Sequence, residues 1–246
     1  MPAPAPFFSI ILVCRNPGPR LQAALESVWT QRGTEIETVV IDGASTDGTA
    51  AWLEARRDRL GAWLSEPDTG VYQAMNKGVQ QARGRWLLFL GADDVLAGPQ
   101  VLDHVRAAIG ETAGGLFCGE AAYADGRIWR APVNPRVRYR NFLHHQACFY
   151  HRSVFARSAF DEALTLQADY DFNLRLWQAG VRPQPLALRV AVCATGGLSD
   201  AGRWTNYREE IAVRHRHFPA WQCWGWDLAS VARFLRKQFV PQARSP

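Results

Sequence analysis

The chain has 246 residues, 48% hydrophobic and 21% charged, a globular composition long enough to bury a substantial core as one large α/β domain or one domain with an appendage. Its net charge of +5 sits wholly in residues 203–246, where eight Lys/Arg face three Asp/Glu, while residues 1–202 hold twenty of each; a balanced body argues against a nucleic-acid-binding core, which needs a basic face of its own. Five scattered cysteines, Cys14, Cys118, Cys148, Cys193 and Cys223, suit neither a disulfide framework nor a zinc clip and are expected to be reduced, mostly buried thiols.

The apolar, branched run Phe8–Val13 predicts a first strand, followed from about Arg20 to Gln31 by a helix with Leu21, Leu25 and Val28 on one face. A second strand, Thr38–Ile41, ends at Asp42. The turn formers of Gly43-Ala44-Ser45-Thr46-Asp47-Gly48-Thr49 then open a helix carrying Trp52 and Leu53. Trp63–Ser65 reads as a short third strand, Tyr72–Arg83 as a helix and Trp86–Leu90 as a fourth strand. Such alternation implies a parallel sheet covered by helices.

Beyond a helix at Gln100–Ala108 the rhythm changes. Leu116–Tyr123 and Arg127–Arg130, joined through Asp125-Gly126, predict a hairpin. His144–Tyr150 and Arg189–Ala194 read as strands, and Asp169–Gln178 as a helix. Ala220–Phe239 reads as a helix with Trp224, Leu228, Val231, Leu235 and Phe239 on one stripe.

The fourth strand stops at Gly91-Ala92-Asp93-Asp94, and ligands of open α/β sheets gather at the carboxyl ends of strands. Two adjacent aspartates there repel each other unless a positive charge intervenes. A hard divalent cation that takes one or two carboxylates plus substrate phosphates is the natural candidate, with a solvated turn as the bland alternative.

In motif order and spacing, residues from about Ser9 to Trp177 resemble the GT-A nucleotide-sugar glycosyltransferases, specifically glycosyltransferase family 2 and its bacterial polysaccharide-assembling members. SIILVCRNP is similar to the family's first strand and turn, with Arg15 where an aromatic is usual. VVIDGASTDGT is similar to its acidic second-strand motif, keeping Asp42 and placing Gly43 where a second acid is common. GADD resembles the DXD-type metal motif, and EPDTGVYQAMNKG a form found in polysaccharide-assembling members. The resemblance implies a Rossmann-like, mostly parallel mixed sheet flanked by helices, with a C-terminal helical extension. It divides the chain into a catalytic domain over about 1–202, with a nucleotide-sugar half at about 1–98 and an acceptor half at about 99–202, and a basic, Trp-rich helical tail over 203–246. It implies Asp94 as direct ligand of Mg²⁺ or Mn²⁺, Asp93 against the ribose or the metal's water, and Val13, Arg15, Asp42, Asp68, Asn76 and Lys77 near the donor.

LQADYDFNLRLW resembles the family's acidic motif at a helix start, with Asp169 at the base position, Ala168 where a glutamate is usual, and Asp171 two residues on. Positions two apart do not share a helix face, so the two aspartates have different jobs; the competing reading of Asp169 is a helix N-cap. His145 is expected beside the donor phosphates or the acceptor. Arg83 and Arg85 are candidates to pair with phosphate, or ordinary surface arginines. The resemblance implies single displacement with inversion, and neither Ser45 nor Ser199 has visible triad spacing. The implied activity is hexosyl transfer from a nucleoside-diphosphate sugar, UDP by default, to a saccharide or lipid-linked acceptor.

The rivals are a sugar-1-phosphate nucleotidyltransferase, which needs a glycine-rich loop where this chain has CRNPGPR, and a silent membrane-associated subunit of an assembly complex, which would tend to lose Asp94 or Asp169. No G-x-G-x-x-G follows the first strand, against a dinucleotide enzyme. No apolar run nears the ~18 residues of a bilayer span, and MPAPAPFF lacks the features of a signal peptide, so the cytoplasm is the expected location. For the tail over 220–239 two readings stand: peripheral contact with anionic lipid on the inner membrane face, or a stripe packed back on the catalytic domain.

Overall fold

The computed structural model describes residues 5–33, 35–131, 134–195 and 203–239. Two seven-residue runs of branched and aromatic side chains form β1 (Phe8–Cys14) and β2 (Ile36–Asp42), parallel to each other, with Cys14 opposite Asp42. Outside β2 lies β3 (Ala62–Ser65), and on the other side of β1 lies β4 (Trp86–Gly91), both parallel. Helices α1 (Arg20–Trp29), α2 (Thr49–Glu54) and α3 (Val71–Gln81) make the crossovers. All four strands run the same way, so Cys14, Asp42, Ser65 and Gly91 finish along one edge. Ligands of such sheets bind beyond that edge.

A two-residue strand, β5 (Val95–Leu96), and α4 (Val101–Ile109) lead into the second half. There β6 (Leu116–Tyr123) turns back as β7 (Ile128–Arg130), the hairpin that Asp125-Gly126 predicts. Strand β8 (Cys148–His151) is antiparallel to β4 and β6, and β9 (Pro183–Cys193) is parallel to β6. Across the sheet the order is β3-β2-β1-β4-β8-β6-β9-β5, with β7 on β6. This is the mixed, helix-flanked α/β sheet expected.

Strand alternation feeds two cores. Phe8, Ile10 and Leu12 of β1 pack with Leu21, Leu25 and Val28 of α1 and Leu102 and Val105 of α4. Ile11 turns to the other face, among Tyr72 and Met75 of α3 and Phe172 of α5 (Ala168–Gln178). The five cysteines are free and buried, as expected.

Three expectations need correction. His144–Tyr150 is not one strand: His145–Ala147 form a 3-10 turn in which the Ala147 N–H bonds back to the His144 carbonyl at 2.9 Å, and β8 begins only at Cys148. The last strand starts at Pro183, well before Arg189. The helical tail expected over 203–246 is two helices, with α6 (Trp204–His217), not delineated from the sequence, preceding α7 (Ala220–Phe239). The buried face of α6 includes Glu210 and Arg214, so no apolar stripe announces it. The boundary expected at residue 202, and Ser199, lie outside the described residues.

Candidate active site

The loops after β1 and β2 are knitted together. Asn16, held at φ 49°, accepts the Thr46 N–H on its Oδ1 at 2.8 Å and donates its own N–H to Ser45 Oγ at 2.7 Å, while the Gly18 N–H reaches Asp47 Oδ2 at 2.9 Å. Val13, half-buried, sits in register between Ile41 and Gly91, and Arg15 is exposed beyond it. Asp42, which the resemblance puts near the donor, closes β2. It is fully buried, and its carboxylate accepts from the Ser45 N–H at 3.1 Å, the Ser45 hydroxyl and the Ser65 hydroxyl at 2.6 Å. It therefore shapes the β2 loop from within.

Asp68 takes up space beside Gly43. A Cβ added at Gly43 would stand 2.3 Å from Asp68 Oδ2 and 3.5 Å from the Arg15 Cβ. No side chain fits at position 43 while Asp68 stays there, so a carboxylate arrives at that spot from the β3–α3 loop. Lys77 fixes this loop by an ion pair with Glu66 at 2.7 Å and a hydrogen bond to the Pro67 carbonyl at 3.0 Å. Asn76 is not open to a donor: it is buried, donating to the Phe160 carbonyl at 3.0 Å and Glu162 Oε1 at 2.9 Å and accepting the Phe160 N–H at 3.0 Å.

Asp93 and Asp94 follow the end of β4. Asp93 is exposed, 3.8 Å from Arg20. Asp94 is buried, its Oδ1 accepting the Ala194 N–H at 2.9 Å just past β9. Gly91 lets that carboxylate fold beneath the strand end, since a Cβ there would lie 2.4 Å from Asp94 Oδ2. Burial pushes the Asp94 carboxyl up; the Asp93 charge adds to this, against the Ala194 hydrogen bond, the His145 charge and a hydrogen bond with Gln146. Asp94 has no ion pair among the described residues, and no cluster of three or more metal-type side chains occurs there either. A carboxylate with unmet negative charge beside a second one fits a cation completed by phosphate oxygens and water.

Asp169 lies at the start of α5, buried and fully furnished. Its Oδ1 accepts from the Tyr72 hydroxyl and Asn141 Nδ2, each at 3.1 Å, and from the Tyr170 N–H at 2.8 Å; Oδ2 faces His145 Nδ1 at 3.3 Å. Burial pushes this carboxyl up, but hydrogen bonds from His145, Asn141 and Tyr72 with the His145 charge outweigh it, so the group is held below the usual carboxylate range. Asp169 is not the N-cap, which is Gln167. Asp171 faces elsewhere, bonded to Arg175 at 2.9 Å and His217 at 2.8 Å, so the two aspartates do have different surroundings.

The two carboxylates border one turn: His145 Nδ1 faces Asp169 Oδ2 at 3.3 Å, and the electrostatic influence of His145 and Gln146 reaches Asp94. Arg83 is elsewhere. It precedes β4, pairs with Glu37 at 3.0 Å near the start of β2, and so sits at the opposite end of the sheet. Arg85 joins it there, bound to Glu111 at 2.9 Å. The geometry adds residues that the motifs did not single out: Tyr72 and Asn141 on Asp169, and Glu209 of α6, whose carboxylate accepts the N–H groups of Thr165, Leu166 and Gln167 at 2.7–2.9 Å just ahead of α5. For Tyr72 alone a local signal exists, its place inside the EPDTGVYQAMNKG motif.

The model of the family described as Glycosyl transferase family 2 matches residues 9–162. The chain belongs to glycosyl transferase family 2. A PGL/p-HBAD biosynthesis glycosyltransferase of Mycobacterium bovis is 38% identical over 178 residues, covering 70% of each chain. An uncharacterized glycosyltransferase of Mycobacterium tuberculosis is 33% identical over 236 residues, covering 87% of this chain and 86% of its own. Among solved structures, S. aureus TarS 1–349 in complex with UDP-GlcNAc superposes with a TM-score of 0.71 at 20% identity, over 94% of this chain and 72% of that one. The mannosyltransferase PcManGT from Pyrobaculum calidifontis, in complex with GDP-Man and Mn²⁺, gives 0.67 at 20% identity, over 95% and 71%. The fold is that of the GT-A glycosyltransferases, and this family 2 chain is a glycosyltransferase.

Proposed function

We propose that this glycosyltransferase moves a sugar, with inversion, from a nucleoside-diphosphate sugar to an acceptor hydroxyl in bacterial glycolipid or surface-polysaccharide assembly. The observation that carries this reading is the presence of two buried carboxylates with opposite electrostatics, Asp94 past the end of β4 and Asp169 at the start of α5, both within the influence of His145. Residues 1–98 hold the donor: Val13 and Arg15 at the end of β1, Asp68 in the space beside Gly43, and Asp93 toward the ribose. Lys77 keeps the Asp68 loop in place. Residues 99–202 present the acceptor to Asp169.

Asp94 is the residue that would hold Mg²⁺ or Mn²⁺. Such an ion, when bound, neutralises the negative charge that develops on the departing diphosphate. Asp169 stays ionised because Tyr72, Asn141 and His145 support its charge, and Oδ2, the less occupied oxygen, takes the acceptor proton. The acceptor oxygen bonds to the anomeric carbon as the bond from that carbon to the diphosphate oxygen breaks, and the electron pair leaves with the diphosphate. One base and one displacement give inversion.

Relatives named for PGL/p-HBAD and succinoglycan biosynthesis support a glycolipid or polysaccharide setting. Structures of the same fold carry UDP-GlcNAc and GDP-Man, so the test supplies UDP-, GDP- and dTDP-sugars with Mn²⁺ and follows nucleoside-diphosphate release and the anomeric configuration of the product. Release of one nucleotide with an inverted product is expected. A retained configuration, or release indifferent to Asp169→Asn, would overturn the mechanism.

A further inference from the structure

We propose that α7 is a docking helix that seats the enzyme on an anionic bilayer, with its outward stripe lying in the interfacial layer of the lipid. Trp221, Trp224, Leu228 and Phe239 are 76%, 70%, 72% and 82% exposed, and Leu235 is also exposed. Their spacing places all five within one narrow stripe of a helix about 30 Å long. Scattered exposed apolar residues need no explanation, whereas a continuous stripe of this kind marks a contact surface.

The stripe cannot roll inward, because the opposite face is fastened. Arg214 of α6, fully buried, pairs with Asp227 and donates to Ser230 Oγ at 3.0 Å, and Arg233 pairs with Glu210 at 2.6 Å. Trp226 stacks on Tyr139 with ring centroids 5.1 Å apart and planes 2° apart. Packing of Trp224, Leu228 and Phe239 back onto the catalytic domain is therefore ruled out in this arrangement.

Charge selects the occupant. The three acids of residues 203–246 are all engaged internally: Glu209 on the turn before α5, Glu210 with Arg233, and Asp227 with Arg214 and His215. Arg236, next to Leu235 of the stripe, is exposed, as are Arg203 and Arg208 at the start of α6. Tryptophans along an apolar stripe, on a tail whose exposed charge is basic, match the boundary between acyl chains and anionic headgroups. No described helix is long and apolar enough to cross a membrane, so the contact is peripheral.

The mounting also orients the site. Tyr139, beneath Trp226, is two residues from Asn141, which donates to Asp169. Docking through α7 thus brings the segment that supports the base close to the lipid surface, where a lipid-linked acceptor is held. Bilayer docking itself is independent of the metal and base assignments.

The test is flotation of the full chain with phosphatidylcholine vesicles, with and without phosphatidylglycerol, at low and high salt. Wild type and Asp94→Asn should float equally well with the phosphatidylglycerol vesicles at low salt, with high salt releasing much of each. Leu228→Glu alone and the triple variant Trp224→Glu, Leu228→Glu, Phe239→Glu should lose about tenfold or more in partition, with unchanged unfolding midpoints because these side chains are exposed. Arg236→Ala should lose about fivefold. Wild type that fails to float at low salt, or a triple variant that floats as well as wild type, would overturn the proposal. So would a stable wild-type dimer dissolved by the same substitutions, which would give the stripe to a second copy of the chain.

Discussion

Asp94 and Asp169 are buried to nearly the same degree, 4% and 5% exposed, yet their surroundings push them in opposite directions. At the end of β4 the carboxylate meets a second aspartate, and one backbone N–H with the influence of His145 and Gln146 does not offset burial, so the ionised form is disfavoured. At the start of α5 a tyrosine, an asparagine and a histidine converge, and the ionised form is favoured despite burial. Equal burial therefore says little about a carboxylate's role. What differs is the compensation that the protein itself supplies, ample around Asp169 and slight around Asp94.

The largest expected effect comes from removing the compensated charge. Asp169→Asn keeps the shape and should lower kcat by about 10²–10⁴-fold, with the folded state unchanged by circular dichroism. Asp94→Asn should cost about 10²–10³-fold in kcat, and EDTA should depress the wild type in the same way while adding little to the variant. Equal sensitivity of both variants to added Mn²⁺ would erase the distinction between the two sites.

A finer probe is Tyr72→Phe, which takes one hydrogen bond from the Asp169 carboxylate. The base is then easier to protonate, so the acid limb of kcat/KM should move to higher pH and acid-side activity fall about tenfold while the neutral plateau holds. The same group sets a sign for stability. Its folded pKa lies below the unfolded value of about 3.9, so it contributes stability above that value, which is lost as pH falls through the folded pKa. Acid unfolding of Asp169→Asn should accordingly begin at the same pH or lower than for the wild type, relative to each protein's neutral stability.

Smaller effects separate support from chemistry. Glu209→Ala removes the carboxylate that accepts three N–H groups before α5 and should cost about 1–2 kcal/mol in urea unfolding, with a modest fall in kcat. Arg83→Ala should cost about 1 kcal/mol, since the Arg83 side chain is largely exposed and the buried Glu37 keeps its bonds from Ser9 and the backbone N–H groups of residues 83 and 84, and should leave nucleotide affinity unchanged. A large loss of nucleotide affinity in Arg83→Ala would restore the arginine to the donor site.

The parallel half of the sheet is legible in the sequence because Phe8–Val13, Thr38–Ile41 and Trp86–Leu90 are branched or aromatic runs closed by turn formers, and hydrophobic period is what distinguishes strands. The order of the motifs likewise places Asp94 and Asp169. Side-chain roles inside a motif are harder to read. Asn76 and Asp42 occupy motif positions, but each is consumed by partners distant in sequence, Phe160 and Ser65, that no local pattern reveals. Helix α6 is hidden for another reason: it buries Glu210 and Arg214 as ion pairs, so its inward face reads as solvent-facing. The outward stripe of α7 misleads the other way, since an apolar helix face is normally read as core.

The most direct measurement is calorimetric binding of UDP, GDP and dTDP, with Mn²⁺ and with EDTA, to wild type, Asp94→Asn and Asp169→Asn. The contrast between the two carboxylates predicts that one nucleotide binds the wild type and Asp169→Asn in a metal-dependent way, and that Asp94→Asn loses this binding. Nucleotide binding that survives EDTA, or that Asp94→Asn retains at full strength, would contradict the assignment of the external charge to Asp94.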